Sequence, residues 1–296
     1  PKAYTLAGHG ESELPDSLRE NAESEHYTFA SLSLLTEESV PDDADLVVIY
    51  APQSDISETE RDTLLAYLAG GGKMLMVLDY TENEQPNLAA VAAQYGMTLE
   101  AGIVLEGDAT RHMRGSNYYL LPEIDSHDIT DPIRDGGYYI LTPVARAMTV
   151  DAGLRSGLTV SALLETSADA YAKLDGYAMT TYDKEDGDTD GPFTLAVSIE
   201  DSTADGKIVW VPTDYLLDDM YNSYSSGANL DLVMNSLSWM IGKNDAVSIR
   251  AKSLNNNYLT ISSSSATVLK IVMIGVIPVC FLLLGMDEVL RRRKMV

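Results

Sequence analysis

The 296-residue chain has a single cysteine, Cys280, and it lies inside an apolar run near the C-terminus. Everything before that run is therefore without a disulfide, a thiolate nucleophile or a cysteine metal site. An exported domain built without disulfides fits a bacterial or archaeal surface better than a eukaryotic secretory route. Basic residues are also scarce: 20 Lys and Arg stand against 45 Asp and Glu, a formal net charge of −25. That field repels nucleic acid and anionic lipid headgroups, which excludes both as expected partners of the folded part. Nucleotide motifs are missing as well. Gly8-His9-Gly10-Glu11-Ser12 has neither the GxxxxGK[ST] pattern nor GxGxxG spacing, and it is not a GxSxG elbow. The acidic stretch from Asp183 to Asp190 fails the EF-hand pattern, since positions six and twelve hold Asp188 and Thr194 instead of Gly and Glu. It reads as a solvated hairpin tip. Four scattered histidines define no triad. No catalytic residue, cofactor or metal site is expected, and there is no internal repeat.

What the chain does have is one long apolar run. Residues 266–286, ATVLKIVMIGVIPVCFLLLGM, meet the roughly 20 residues a helix needs to cross a bilayer core. Lys270 stands near the start, where its stem can snorkel, and Pro278 stands mid-span, where lipid-embedded helices tolerate it. Arg291-Arg292-Arg293-Lys294 follows at once, which predicts a cytoplasmic C-terminus at 287–296 and everything before the span outside the cell. Removing this tail leaves 15 basic and 43 acidic residues, a net of −28. The chain opens Pro1-Lys2-Ala3-Tyr4 without an initiator Met or signal peptide, so an N-terminal signal or membrane segment is expected to precede it.

The first 106 residues alternate short apolar runs with helical patterns. Strands are predicted at 3–7, 27–35, 45–50 and 73–78. Ser57 and Glu60 form a capping box that opens a helix with Leu64, Leu65 and Leu68 as its stripe, stopped by Gly70-Gly71-Gly72. A second helix is expected from Leu88 to Tyr95. Continuous apolar strands separated by helices predict an α/β fold: a doubly wound, mostly parallel sheet covered on both faces. Residues 107–200 read as an inserted irregular and β-rich segment, with short strands at 148–150 and 159–164 and a hairpin pairing 177–182 with 193–200. Residues 201–242 return to the core through the strand 207–211 and a helix over 228–241, and 243–265 form a polar tether.

In a doubly wound sheet, ligands bind beyond the carboxyl ends of the strands. Those ends carry Gly8, His9, Gly10 and Glu11, then Pro52 and Gln53, then Asp79, then Asp214. If the four strands share one parallel sheet, these residues line one rim. The residues alone leave two readings open, a ligand cleft or ordinary strand-to-helix turns using Gly for geometry and Asp for caps. Tyr118-Tyr119 and Tyr138-Tyr139 read equally as sugar-stacking platforms or as core.

Several stretches together resemble the gliding-motility-associated (GldG-type) ABC transporter auxiliary proteins. They are Tyr4-Thr5-Leu6-Ala7-Gly8-His9-Gly10-Glu11, then Asp45 to Pro52 with its helix, Gly70-Gly71-Gly72-Lys73 and a strand to Asp79, then Ala228 to Met240, and last the Ser248 to Ser253 run before the span. The resemblance implies a fold related to class I glutamine amidotransferases but without their catalytic cysteine, because Cys280 lies within the apolar run. It also implies an ABC permease and its ATPase as partners, and a membrane segment before Pro1. The expected role is a non-enzymatic, membrane-anchored accessory subunit with an extracytoplasmic binding or gating domain. A stand-alone glycan- or peptide-binding module is the alternative, and an envelope hydrolase using Asp79, Asp214 or Glu11 comes third.

Overall fold

A computed structural model of the chain describes residues 1–243, together with the isolated positions 274 and 278. The span at 266–286, the basic tail and, apart from Lys243, the tether lie outside the described residues. Among the described residues no helix is long and apolar enough to cross a membrane.

The chain begins β1 (Lys2–Leu6), α1 (Asp16–Ser24), β2 (Thr28–Leu32), β3 (Leu46–Tyr50), α2 (Glu58–Ala69), β4 (Lys73–Val77) and α3 (Pro86–Gln94). The capping box read from the sequence is present: Ser57 Oγ accepts from the Glu60 N–H, and the Glu60 carboxylate accepts from the Ser57 N–H at 2.8 Å. The central sheet has eight strands in the order β2, β1, β3, β4, Gly206–Val211, Thr194–Asp201, Leu158–Glu165, Glu123–Ile124. The first five are parallel neighbours, and the last three extend the sheet antiparallel. One row crosses it through Thr5, Val48, Leu75, Val209, Ser198 and Ser161.

Both faces of this sheet are covered, which is why its strands read as unbroken apolar runs. All five residues of β3 are buried. Leu46, Val48 and Tyr50 pack with Leu75, Val77, Val209 and Val211 against α1 and the helix Ala228–Met240. Val47 and Ile49 point the other way, joining Met74, Met76, Ile208 and Trp210 under α2 and α3. The period-two alternation of a strand therefore feeds two separate cores. Each fully buried aliphatic side chain contributes about 1.5–3 kcal/mol of transfer free energy.

The middle of the chain differs from the hairpin expected there. Thr194–Asp201 pairs with Leu158–Glu165 and Gly206–Val211 inside the main sheet, not with residues 177–182. A second, antiparallel sheet forms from Arg146–Val150, Met97–Leu105, Tyr171–Lys173 and Thr189–Asp190. The acidic loop does close a hairpin, but between Tyr171–Lys173 and Thr189–Asp190. The reason is Lys173. Its side chain is fully buried, and its ammonium is held by Glu185, by Asp188 at 3.3 Å and by the Asp183 carbonyl at 3.0 Å. Two carboxylates of this loop, those of Glu185 and Asp188, thus meet an internal cation, and among the described residues no group of acidic, His or Cys side chains is arranged to hold a metal.

Candidate ligand-binding rim

Strands β1, β3, β4 and Gly206–Val211 are consecutive parallel neighbours, so their carboxyl ends open on one side of the sheet. All eight residues singled out from the sequence follow those ends; Pro52 contributes its carbonyl to Gln85, and the other seven divide into two groups.

Gly8, His9, Gly10 and Glu11 close on themselves. The Glu11 carboxylate accepts from the Gly8 N–H at 3.0 Å and the His9 N–H at 2.7 Å, and it faces His9 Nδ1 at 3.1 Å. The other ring nitrogen, Nε2, faces Glu60 at 3.2 Å, and His9 is only 5% exposed. The ring thus bridges the two carboxylates, and the side chain ties the β1 turn to the start of α2. Burial pushes the Glu60 carboxyl upward, but the Ser57 hydrogen bonds and His9 outweigh it and hold the group below its usual range. His9 and Glu11 are thereby engaged within the fold. Gly10 sits at φ +74°, and a Cβ there would come within 3.3 Å of Gln53 Cβ, so the two turns touch.

The second group is less satisfied. Gln53 Nε2 donates to the Ala51 carbonyl at 3.3 Å and lies 3.5 Å from Asp79 Oδ2. Asp79 accepts from the Tyr80 N–H at 2.7 Å, yet burial still raises its carboxyl above the ordinary range. Asp214 goes further: burial and the neighbouring Asp79 charge push it up to about 7. Among the described residues neither carboxylate forms an ion pair; two acids with no neutralising base account for the shift.

Sequence reasoning missed the groups around this pair. Tyr50 is 5% exposed with its hydroxyl 3.5 Å from the Asp214 carbonyl, and burial beside Asp214 and Asp79 keeps the phenol protonated. Tyr177 is 54% exposed, packs edge-on against Tyr80 at 5.1 Å, and has its own hydroxyl pushed up by burial, Tyr215 and Asp79. The turn carrying it approaches closely because residue 176 is glycine, at φ +53°; a Cβ there would run into the Tyr80 hydroxyl. From this corner an aromatic chain continues. Tyr215 lies 6.2 Å from Tyr221, Tyr221 5.3 Å from Tyr119, Tyr119 4.7 Å from Tyr118 and Tyr118 5.3 Å from Tyr182. The only sequence signal was the Tyr118-Tyr119 doublet; partners a hundred residues away were not legible. Tyr138-Tyr139 splits: Tyr138 packs on the core, while the exposed Tyr139 donates to the Tyr224 carbonyl at 2.5 Å.

Arg146 is the remaining missed residue. Its backbone N–H donates to the Pro212 carbonyl at 3.0 Å, and its Nη1 donates to Gln85 Oε1 at 2.9 Å. Gln85 in turn donates to the Pro52 carbonyl at 2.8 Å. Its signal in the sequence was faint, a basic residue opening an apolar run in an acidic chain.

This arrangement offers hydrogen-bond acceptors, protonated phenols, ring faces and one guanidinium. It does not offer a nucleophile with its base. Ser198 Oγ does lie 3.1 Å from His127 Nε2, but His127 Nδ1 accepts from the Ile129 N–H at 3.2 Å. The imidazole proton is therefore on Nε2, donated to Ser198, and the ring cannot take a proton from that hydroxyl.

Fold and rim together define an α/β domain with a doubly covered, mostly parallel sheet and a polar, tyrosine-rich strand-end edge. Residues 1–236 match the ABC_transp_aux family, described as an ABC-type uncharacterized transport system, and the chain belongs to that family. It is an auxiliary component of an ABC-type transport system. None of the curated proteins matches it significantly. Among solved structures, the mmIFT52 N-terminal domain is similar at 14% identity and a TM-score of 0.58, over 81% of this chain and 97% of that one. A ThuA-like protein from Bacteroides uniformis aligns at 14% identity and a TM-score of 0.44, over 81% and 90%. A glutamine amidotransferase from Thermotoga maritima aligns at 11% identity and 0.42, over 81% and 97%. At these identities the likeness concerns the fold alone.

Proposed function

We propose that this chain is a non-enzymatic, membrane-anchored accessory subunit of an ABC transporter, of the GldG type, that presents its α/β domain outside the cell. The family match over residues 1–236 carries the reading. Residues 266–286 serve as the anchor and 287–296 as a cytoplasmic tail, on the strength of apolar length and the adjoining basic cluster. The permease is contacted through the span and tether, and ATP is hydrolysed by a separate ATPase. The external work is binding or gating at the strand-end rim, where Gln53, Asp79, Asp214 and their tyrosines supply recognition without a nucleophile. Purification from intact membranes through the C-terminal tail recovers a permease and an ATPase; recovery of neither overturns the assignment.

A second reading, a stand-alone surface glycan- or peptide-binding module, draws on the exposed Tyr182 at the end of the tyrosine chain and on the exposed Tyr177, because exposed aromatic rings suit hydroxyl-rich ligands. It requires a glycan or peptide that raises the melting temperature of protein isolated without transporter subunits. Hydrolysis by Asp79, Asp214 or Glu11 is the weakest reading, since Glu11 is already engaged by two backbone N–H groups and His9. It would need turnover lost in D79N or D214N.

A further inference from the structure

Basic side chains in this acidic chain generally find carboxylates. Arg61 pairs with Asp62, Arg111 with Glu123, Arg134 with Asp131 and Arg155 with Asp201. Arg146, half-buried, does not. Among the described residues no carboxylate pairs with it, and beyond the Nη1 contact to Gln85 its Nε and Nη2 donors meet no acceptor. Arg19 and Arg114 also lack an ion pair among the described residues, but both are exposed, whereas Arg146 is half-buried. Burial pushes it below its ordinary range, the direction expected of a cation whose desolvation nothing repays.

Its position is equally specific. The Arg146 N–H holds the Pro212 carbonyl, Gln85 links its guanidinium to the Pro52 carbonyl, and Tyr80 is its neighbour on the third side. The turns after β3, β4 and Gly206–Val211 therefore meet at Arg146, through its backbone N–H and through Gln85. Gln85 is 4% exposed and has both ends of its amide engaged, so it fixes the orientation of the guanidinium fork.

We propose that Arg146 is the anion-reading residue of the rim, taking a carboxylate or phosphate oxygen pair of a small ligand on its free donors while Gln85 holds the fork in place. The inference rests on the rim being a ligand site and names the chemistry it takes. Asp79 and Asp214 follow the ends of the same parallel strands, and their neighbouring carboxyls disfavour a second anionic group. The ligand carries one anionic end and hydroxyl or amine donors at the other, with Tyr80 and Tyr177 flanking its body. The acidic surface does not prevent this, because exposed charges farther than about 10 Å are largely screened at ordinary salt.

The test is thermal melting of the full chain in detergent, titrated with glucuronate and with inorganic phosphate, with glucose as the uncharged control. One of the two anions raises the melting temperature of the wild type and glucose does not; which of them acts separates a carboxylate source from a phosphate source. R146Q abolishes the rise; because it also takes the donor from the buried Gln85 Oε1, its melting transition without ligand is read only to show that it folds. R146K keeps the charge without the fork and weakens the apparent affinity by about tenfold. The proposal is overturned if neither anion stabilises the wild type, if glucose acts as well as glucuronate, or if R146Q and R146K respond as wild type does. Loss of the anion response leaves recovery of the permease and ATPase intact, so the two readings fail separately.

Discussion

Asp214 and His9 came from the sequence as equivalent strand-end residues, and their surroundings separate them. Asp214 ionises near pH 3.8 when unfolded and at about 7 in the fold. Between those values the folded state holds a proton that the unfolded state has lost. The contribution is therefore full below about pH 4 and is lost as the pH rises toward 7. D214N should flatten the pH dependence of stability between about pH 4 and 7 and gain about 1–3 kcal/mol relative to wild type at pH 8 but little at pH 4, after allowance for solvent screening. Urea unfolding at the two pH values checks it. His9 behaves oppositely. Replacing it with Ala removes the ring that links Glu60, 1% exposed, to Glu11, and leaves Glu60 with its Ser57 hydrogen bonds alone. H9A should cost about 2–4 kcal/mol, read as a lower urea midpoint at unchanged m-value, whereas a replaceable surface ligand residue would cost little.

At the scale of elements, the hairpin Tyr171–Lys173 to Thr189–Asp190 shows how a buried cation organises an acidic loop. Asp188 is drawn below its usual carboxylate range by its hydrogen bonds, the Lys173 ammonium among them, against the opposing effect of burial. Lys173 is raised above its ordinary value, chiefly by its hydrogen bond to Glu185. K173M should free residues 183–190 for limited proteolysis while the central sheet keeps its far-UV signature, and calcium should not restore protection. Protection that survives K173M would mean that the loop is held by other contacts.

Over the whole molecule, charge and sheet topology dominate. A net charge of −25 on one chain means that self-repulsion opposes folding. Raising salt from about 0.05 to 0.5 M should increase the melting temperature, because the Debye length shortens from above about 10 Å to below about 5 Å. An anion bound at Arg146 would act on top of this trend and saturate, which bulk screening does not. The eight-stranded sheet places the parallel half, with its strand-end rim, beside three antiparallel strands contributed by the middle of the chain.

The α/β core was legible in the sequence because its signals are local. The unbroken apolar run of β3, the Ser57–Glu60 capping box and the Lys73 to Leu78 strand each declare themselves within a dozen residues. The strand ends that follow them were legible for the same reason, so Asp79 and Asp214 could be placed on one rim from the parallel topology. The proposed anchor at 266–286 is an expectation from apolar length and flanking charge, and it lies outside the described residues. Pairing across long separations was not legible. That Thr194–Asp201 joins the main sheet, that Lys173 neutralises the acidic loop, and that Tyr177 and Arg146 reach the rim depend on contacts that no residue spacing encodes. The sequence determined which segments fold and where their turns fall. Only the tertiary structure decided which charges are compensated, because compensation is set by distance and burial, and among the described residues it left Asp79, Asp214 and Arg146 without an ion pair.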